Sequence, residues 1–375
     1  MGAALASKIT RRKTIWAIGS FGVSRRAEAA SPHRLSSGDF ASGWHAFARH
    51  FLTAEGRVVD TGNGGITHSE GQGWAMLFAL QAGDRTRFER IADWTRENLR
   101  RTSDGLHAWR GKGSDGSEDL NNATDGDLFI ATALILAGEQ WGRPEWRVGG
   151  LATAQGILRM LPRRVGGRLV LLPGLQGFER SGEVVVNPSY YAFPMMRVLA
   201  RALPDPLWLD LATDGLALLR DSCFGPYGLP ADWVAVSRAD GGVTLAEGWP
   251  ARFSYDAVRV PLWLGWAGLV DEPGLRGPAS FWADAPRPPP AWVDLRNAEA
   301  APVPALPGMA AVAGLAMRRA GMAPAASRPE GASRSPLRES IPPAPLPAPL
   351  PAPLWDDTYY SAALSLLVAL ADRPA

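Results

Sequence analysis

Cysteine is all but missing: Cys223 is the single one in 375 residues, so no disulfide can form within the chain. Its apolar neighbours predict a buried thiol, and thiol catalysis would want a histidine near it. Histidine is scarce as well. His33, His45, His50, His68 and His107 fall into no ligand-like spacing, so neither a metal centre nor another cofactor is expected. Long apolar runs are lacking too. Past the N-terminus no stretch reaches the roughly 18 residues a spanning helix needs, so the mature chain is expected to be soluble.

Charge is sparse, at 20%, and its slight excess of 39 basic over 37 acidic residues is a property of one end. Without residues 1–29 the balance becomes 33 basic against 36 acidic, a net charge of −3. No Lys/Arg stripe remains to form a nucleic-acid footprint, so nucleic acid is excluded as a partner. What the chain does have is apolar material: 46% hydrophobic residues suit a globular protein of one large or two medium domains. Fifteen tryptophans are many for this length. Most are expected in the core, but an indole can also stack on a sugar ring while its N–H meets a polar partner.

Two segments stand apart. Lys8, Arg11, Arg12 and Lys13 lead into the apolar stretch from Thr14 to Val23 and then into small residues, the order of an export signal spanning about residues 1–30. The Arg11, Arg12 pair resembles a twin-arginine signal, which predicts a periplasmic or secreted protein. The second segment, 324–354, is dominated by Pro, Ala, Ser and Arg and ends in PPAPLPAPLPAPL. It suits polyproline II or a solvated spacer rather than helix or sheet. Because WDDTYYSAALSLLVALA follows it and has the character of a packed helix, it is expected to interrupt one domain running from 37 to 371.

The rest is predominantly helical. Apolar spacings of three and four predict helices over 40–51, 70–82, 88–99, 125–141, 146–161, 190–203, 208–219, 255–269, 309–319 and 359–370. Strands are limited to short pieces at 168–172 and 183–186, and to a hairpin over 234–245 with DGG at its turn. No fixed period argues for a solenoid.

Acids mark the chemistry. In ATDGDLFIATALILAGEQW, Asp125 and Asp127 precede an almost acid-free apolar helix, and the plain reading is capping of its first turn. Glu70 in ITHSEGQGWAMLFAL completes the capping box Thr67-x-x-Glu70. Its neighbours His68, Ser69, Gln72 and Trp74 include several groups able to bind hydroxyls. Asp256 in FSYDAVRVPLWLGW lies at a predicted helix start, with Arg259 three residues on. The plain reading is a surface ion pair, and the sharper one is an arginine that orients a carboxylate base.

Together these segments resemble glycoside hydrolase family 8. The block from Ala123 to Trp141 matches that family's pattern at each constrained position, and SEGQ, NPSYYAF and SYDAVRVPLW follow in family order. The likeness is nearest to the endoglucanases of bacterial cellulose-synthesis operons and covers about 37–370. It implies an all-α (α/α)6 barrel with short β decorations and a cleft where the inner helices begin. It also implies hydrolysis of β-1,4-glucan with inversion, the two carboxyls lying about 6.5 to 9.5 Å apart.

By motif, Glu70 is then the general acid, Asp256 the general base, and Asp125 the residue holding a distorted sugar at the cleavage subsite. Asp127 is left as a cap and hydrogen-bond partner. Substrate contacts are expected from Gln72, Trp109, Tyr190, Tyr191, Arg259, Tyr359 and Tyr360, with Trp74 and Phe78 as the apolar wall that raises the acid's pKa. Chitosan, mixed-linkage glucan and xylan are alternative substrates, and a cellulose synthase complex is a candidate partner. A reading of another class is an idle glycan-binding scaffold, with the Pro-rich insertion as its docking arm.

Overall fold

In the computed structural model the described residues are 37–111, 119–286, 288–322 and 358–373. The expected export signal and Pro-rich insertion lie outside them. Eleven α-helices occur among the described residues, named here in chain order: α1 (Ser37–Phe51), α2 (Ser69–Gln81), α3 (Arg85–Asn98), α4 (Thr124–Gln140), α5 (Pro144–Met160), α6 (Phe193–Ala202), α7 (Pro206–Asp221), α8 (Arg259–Ala267), α9 (Pro273–Asp284), α10 (Pro307–Arg319) and α11 (Tyr359–Ala371).

Two kinds of helix alternate along the chain. In α3 the buried residues are Phe88, Ile91, Ala92 and Thr95, the single stripe of a helix with one face to solvent. By contrast α2 is buried without a break from Gly71 to Leu80, and α4 from Thr124 to Ala133. A helix apolar all round belongs in the interior. The inner helices neighbour one another, α2 on α4, α4 on α6, α6 on α8 and α8 on α11, with α6 buried at Phe193, Pro194, Met195, Met196 and Leu199 rather than all round, while α3, α5, α7 and α9 pack outside. The ring closes where α11 meets α1 and Tyr359 lies edge-on to His68, just before α2, at 5.5 Å. This is the expected (α/α)6 arrangement, and its apolar core runs continuously from Phe40 to Ala371.

The sheets are small and antiparallel. Glu183–Val186, Val234–Ser237 and Val243–Leu245 form three strands, the latter two joined through the predicted turn, where Gly241 takes a φ of +75°. The strand predicted at 168–172 is formed over Arg168–Leu171 and pairs with Pro162–Val165 through Gly166 and Gly167, both at positive φ; this hairpin is not foreseen from the sequence. Helix α9 is also unforeseen, because Pro273, Gly277 and Pro278 give it the look of a loop. A proline at its first position costs nothing, since that N–H has no helical partner in any case. Two predicted starts move inward. Tyr190 lies in a 3-10 turn before α6, and Asp256 in the turn that precedes α8 rather than on the helix.

Glycine lets α2 and α4 touch at their starts. A Cβ on Gly126 would come within 2.7 Å of the Ser69 Cβ and 2.8 Å of the Glu70 backbone nitrogen; one on Gly73 would come within 2.7 Å of the Phe129 Cβ. Both contacts are closer than real Cβ atoms tolerate, so the two helix starts approach to backbone distance. That approach sets Glu70 beside Asp125. Gly126→Ala is therefore expected to destabilise by about 1–3 kcal/mol through overpacking, read as a lower Tm by calorimetry, with activity lost at temperatures where the variant is still folded. An unchanged Tm would mean the contact is looser than it looks.

Candidate active site

The starts of α2, α4 and α11 and the turn before α6 gather at one end of the barrel. They line a cleft of about 220 Å³ together with Asp60, Asn63, His68, Ser69 and Trp109, room for several waters. Within or beside it stand Glu70, Asp125, Tyr190, Tyr359 and Tyr360.

One arginine joins the acids. Arg259, in the first turn of α8, donates from Nη1 to Glu70 Oε1 and, at 3.1 Å, to Asp125 Oδ2; its Nη2 donates to Asp256 Oδ1 at 2.7 Å. Its guanidinium lies 5.9 Å from the Trp74 ring centroid and 5.7 Å from that of Tyr190, in cation–π range of both. The surface ion pair that a three-residue spacing suggests is thus a buried hub. Exposure is graded across it: 4% for the side chains of Arg259 and Asp125, 19% for Glu70 and 32% for Asp256. Asp256 is the acid most open to solvent.

Burial pushes the Glu70 carboxyl up to about 7, against the pull of Arg259, with the charges of Asp256 and Asp60 adding to the rise. Burial, and then the charge of Glu70, pushes Asp125 up to about 8. The phenols of Tyr190, Tyr359 and Tyr360 are also held well above their ordinary value by burial, so they stay protonated and can donate. Of the expected apolar wall, Trp74 faces the hub, whereas Phe78 packs edge-on to Phe47 in the core.

The predicted capping box is not formed. The N-cap of α2 is His68, whose Nδ1 accepts from the Gly71 N–H at 3.0 Å while Nε2 faces Asp60 Oδ2 at 3.4 Å. Thr67 instead donates to the Val58 carbonyl and accepts from Arg57 Nε. Glu70 is consequently left free for the cleft. Nor do the acids of α4 cap it: Ala123 stands at the N-cap, and Asp125 accepts from the adjacent Gly126 N–H. Asp127 keeps only the hydrogen-bond half of its expected role. It accepts from the His107 N–H and Nδ1 and from Asn122 Nδ2, fastening both strands of the hairpin Ala108–Arg110 and Asp119–Asn122 that presents Trp109.

Two expected substrate contacts face the interior. Gln72 is fully buried, accepting from the Val58 N–H and donating to the Gly56 carbonyl and Thr95 Oγ1, so its amide is spent on the scaffold. Tyr191 is buried and its hydroxyl accepts from the Leu171 N–H. Of the tyrosine pair, Tyr190 alone reaches the cleft. Tyr360 donates to the Tyr255 carbonyl, and the hydroxyl of Tyr359 is buried without a protein partner. Cys223 is half-buried rather than buried, and its thiol, pushed up to about 12 by burial, is inert at neutral pH.

Two residues of the site are not foreseen from the sequence: Trp233, whose indole N–H donates to Asp256 Oδ2 at 3.1 Å, and Asp60, which joins Glu70 and Asp125 as a third carboxyl lining the cleft, Asp256 standing beside it. Asp60 sits in a turn-like VDTGNGG stretch where an acid is unremarkable, and Trp233 is one indole among fifteen. No grouping of His, Cys, Asp and Glu suited to a metal occurs among the described residues. None of the helices there is long and apolar enough to cross a membrane.

Comparison with known proteins agrees with this geometry. The family described as glycosyl hydrolases family 8 matches residues 11–335. A probable endoglucanase of Novacetimonas hansenii is 40% identical over 334 residues, 88% of this chain and 90% of the relative. An endoglucanase of Cellulomonas uda is 38% identical over 73% of this chain and 77% of its own. The solved endo-β-1,4-glucanase of Acetobacter xylinum superposes with a TM-score of 0.75 at 38% identity, covering 90% of this chain and 98% of that one. Fold, site and relatives define a glycoside hydrolase. The chain belongs to glycosyl hydrolase family 8.

The raised carboxyls carry a stability cost with a definite sign. In the folded chain Glu70 and Asp125 hold protons to about 7 and about 8, whereas in the unfolded chain they release them near 4. Between those limits the folded state binds more protons, so stability falls as pH rises from about 4 to about 8. Asp125→Asn removes one such group. Its Tm is expected to match the wild type at about pH 4 and below and to exceed it increasingly as pH rises to 8, by at least about 2 °C, the order of shift that about 1 kcal/mol gives in a large domain. Parallel Tm curves across that range would show that Asp125 is not held protonated.

Proposed function

We propose that the protein is an inverting endo-β-1,4-glucanase acting on cellulose-type chains, with Glu70 as general acid, Asp256 as general base and Asp125 as the residue that binds and distorts the sugar at the point of cleavage. The observation that carries this reading is the shared arginine. Glu70 and Asp256 bond to different nitrogens of Arg259, so a guanidinium's width lies between the two carboxyls. Inversion places the two carboxyls about 6.5 to 9.5 Å apart, because a water must enter opposite the leaving group, and it is membership of the family that supports inversion here.

The assignment of roles follows from environment. An acid that protonates a glycosidic oxygen must hold its proton near neutral pH, and Glu70, pushed up to about 7, can do so. A base that activates water is better placed toward solvent, and Asp256 is the most exposed of the three acids. Asp125 is the most deeply buried, faces the cleft from the start of α4, and spends binding energy on ring distortion. Trp109 offers an aromatic face for a glucosyl unit, Tyr190 and Tyr359 offer phenol donors to sugar hydroxyls or to the water, and Tyr360, whose proton is given to the Tyr255 carbonyl, offers its ring and an acceptor oxygen.

The N-terminal pattern around Arg11 and Arg12 supports export to the periplasm or beyond, where trimming of glucan made by a cellulose synthase complex is the role we favour. A second substrate, chitosan, has one observation behind it: Asp60 adds a carboxylate that can pair with an amino sugar. An idle binding scaffold would have no need of the intact acid set.

Reducing-sugar release tests these assignments. The wild type is expected to cleave carboxymethyl cellulose faster than chitosan, mixed-linkage glucan or xylan. Glu70→Gln should lower kcat by about 10² to 10⁴, the range that general acid catalysis supplies. Since the acid works protonated, kcat/KM should decline as pH rises past about 7. Faster release from chitosan would transfer the assignment to that substrate, and no release from carboxymethyl cellulose would end the cellulose reading.

A further inference from the structure

Asp232 belongs to none of the motifs that mark the site, yet it is buried directly behind Asp256. Its Oδ1 accepts from the Ser254 N–H at 3.0 Å and from the Ala257 N–H at 2.8 Å, and its Oδ2 accepts from the Ser254 hydroxyl. Its own N–H donates to the Arg252 carbonyl at 2.8 Å. A single carboxyl thereby grips the chain two residues before Asp256 and one residue after it. The next residue, Trp233, bonds to the Asp256 carboxylate itself. The dipeptide holds both the backbone and the side chain of one acid.

The carbonyls of the turn have other partners, the Val258 N–H on Ser254, the Arg259 N–H on Asp256 and the Tyr360 hydroxyl on Tyr255, but the N–H groups of Ser254 and Ala257 donate to Asp232. Residues 254–258 run between the short strand Arg252–Phe253 and α8, and the N–H groups of Ser254 and Ala257 lie in a buried setting. Without Asp232 these two donors would be unpaired, at a cost large enough to make the turn rearrange. A turn that rearranges moves Asp256.

We propose that Asp232 is a positioning residue for the reaction: by clamping the Ser254 to Ala257 turn it fixes Asp256 where it can take a proton from the attacking water. The inference rests on the reading of Asp256 as the base. It predicts a loss chiefly in the chemical step rather than in substrate binding, because Asp232 itself bonds to Ser254, Ala257 and Arg252 and to none of the cleft aromatics, although the turn it clamps meets Tyr360 through the Tyr255 carbonyl.

Asparagine is the informative replacement. Its carbonyl oxygen can accept both backbone N–H bonds, and its amide can donate to the Ser254 hydroxyl, which accepts as readily as it donates. Burial, and then the charge of Asp256, pushes Asp232 up to about 7, so near neutrality the side chain is partly in a neutral form that asparagine copies.

The test measures kcat and KM on carboxymethyl cellulose for Asp232→Ala, Asp232→Asn and Asp256→Asn, with Tm recorded for each. Asp232→Ala is expected to lose about 100-fold in kcat, the scale of a misplacement of about 1 Å, with KM within about threefold of the wild type. Asp232→Asn should recover most of that loss. Should the alanine variant fail to fold, the asparagine variant still decides, since a drop in its kcat comparable to that of Asp256→Asn would overturn the clamp. An alanine variant with kcat within about twofold of the wild type would overturn it as well. Full activity in Asp256→Asn is a different result, and removes the base assignment beneath the proposal.

Discussion

Arg259 is the constraint around which the site is arranged. A buried cation is tolerated only when paired, and a cluster of buried acids only when something neutralises it. Here each need meets the other. Three carboxyls from α2, α4 and the turn before α8 converge on one guanidinium held between Trp74 and Tyr190. A single positive charge can balance a single carboxylate. The most favourable occupancy of such a cluster leaves protons on the buried members, and burial does raise Glu70 and Asp125. Burial, with the charge count beside it, therefore sets Glu70 and Asp125 apart from ordinary carboxyls in a way the residue types alone would not.

The barrel exists, in functional terms, to bring helix starts together. An isolated helix start offers unpaired N–H groups and a positive dipole end, both of which favour an anion in water. Around a ring the starts of several sheathed helices meet, and acids that would be ordinary caps elsewhere are taken out of solvent. Capping is then delegated. His68 caps α2 in place of the expected threonine, and Ala123 leaves α4 with no side-chain cap. Gly126 and Gly73 allow the backbone approach that makes the meeting close enough to matter.

Much of this was legible in the sequence, and what escaped did so for physical reasons. Amphipathic outer helices declare themselves through a stripe such as Phe88, Ile91, Ala92 and Thr95. The sheathed helices could be found as apolar runs, and the acids at their starts by motif. What a linear reading lacks is the direction of a side chain. Gln72 lies two residues from Glu70 and has every chemical qualification to bind a hydroxyl, yet it turns into the core and serves the loop at Gly56 and Val58. Tyr190 and Tyr191 are chemically identical neighbours, and only the 3-10 turn decides which one meets the cleft. Arg259 looked like half of a local pair, because its partners on α2 and α4 lie 189 and 134 residues away.

The two aspartates of α4 show how such directions are set. Residues two apart on an α-helix point about 200° apart, so Asp125 and Asp127 cannot serve one purpose. Asp125 turns to Arg259 and the cleft, whereas Asp127 turns to His107 and Asn122 beneath the hairpin that carries Trp109. The same helical turn thus anchors the acid cluster on one side and an aromatic wall of the cleft on the other. Both anchors share the buried first turns of one helix, so the hairpin that carries the aromatic face and the reacting carboxyls are tied to the same element. The glycine between them lets that element sit against Glu70, which makes the spacing Asp-Gly-Asp a structural requirement with three separate parts.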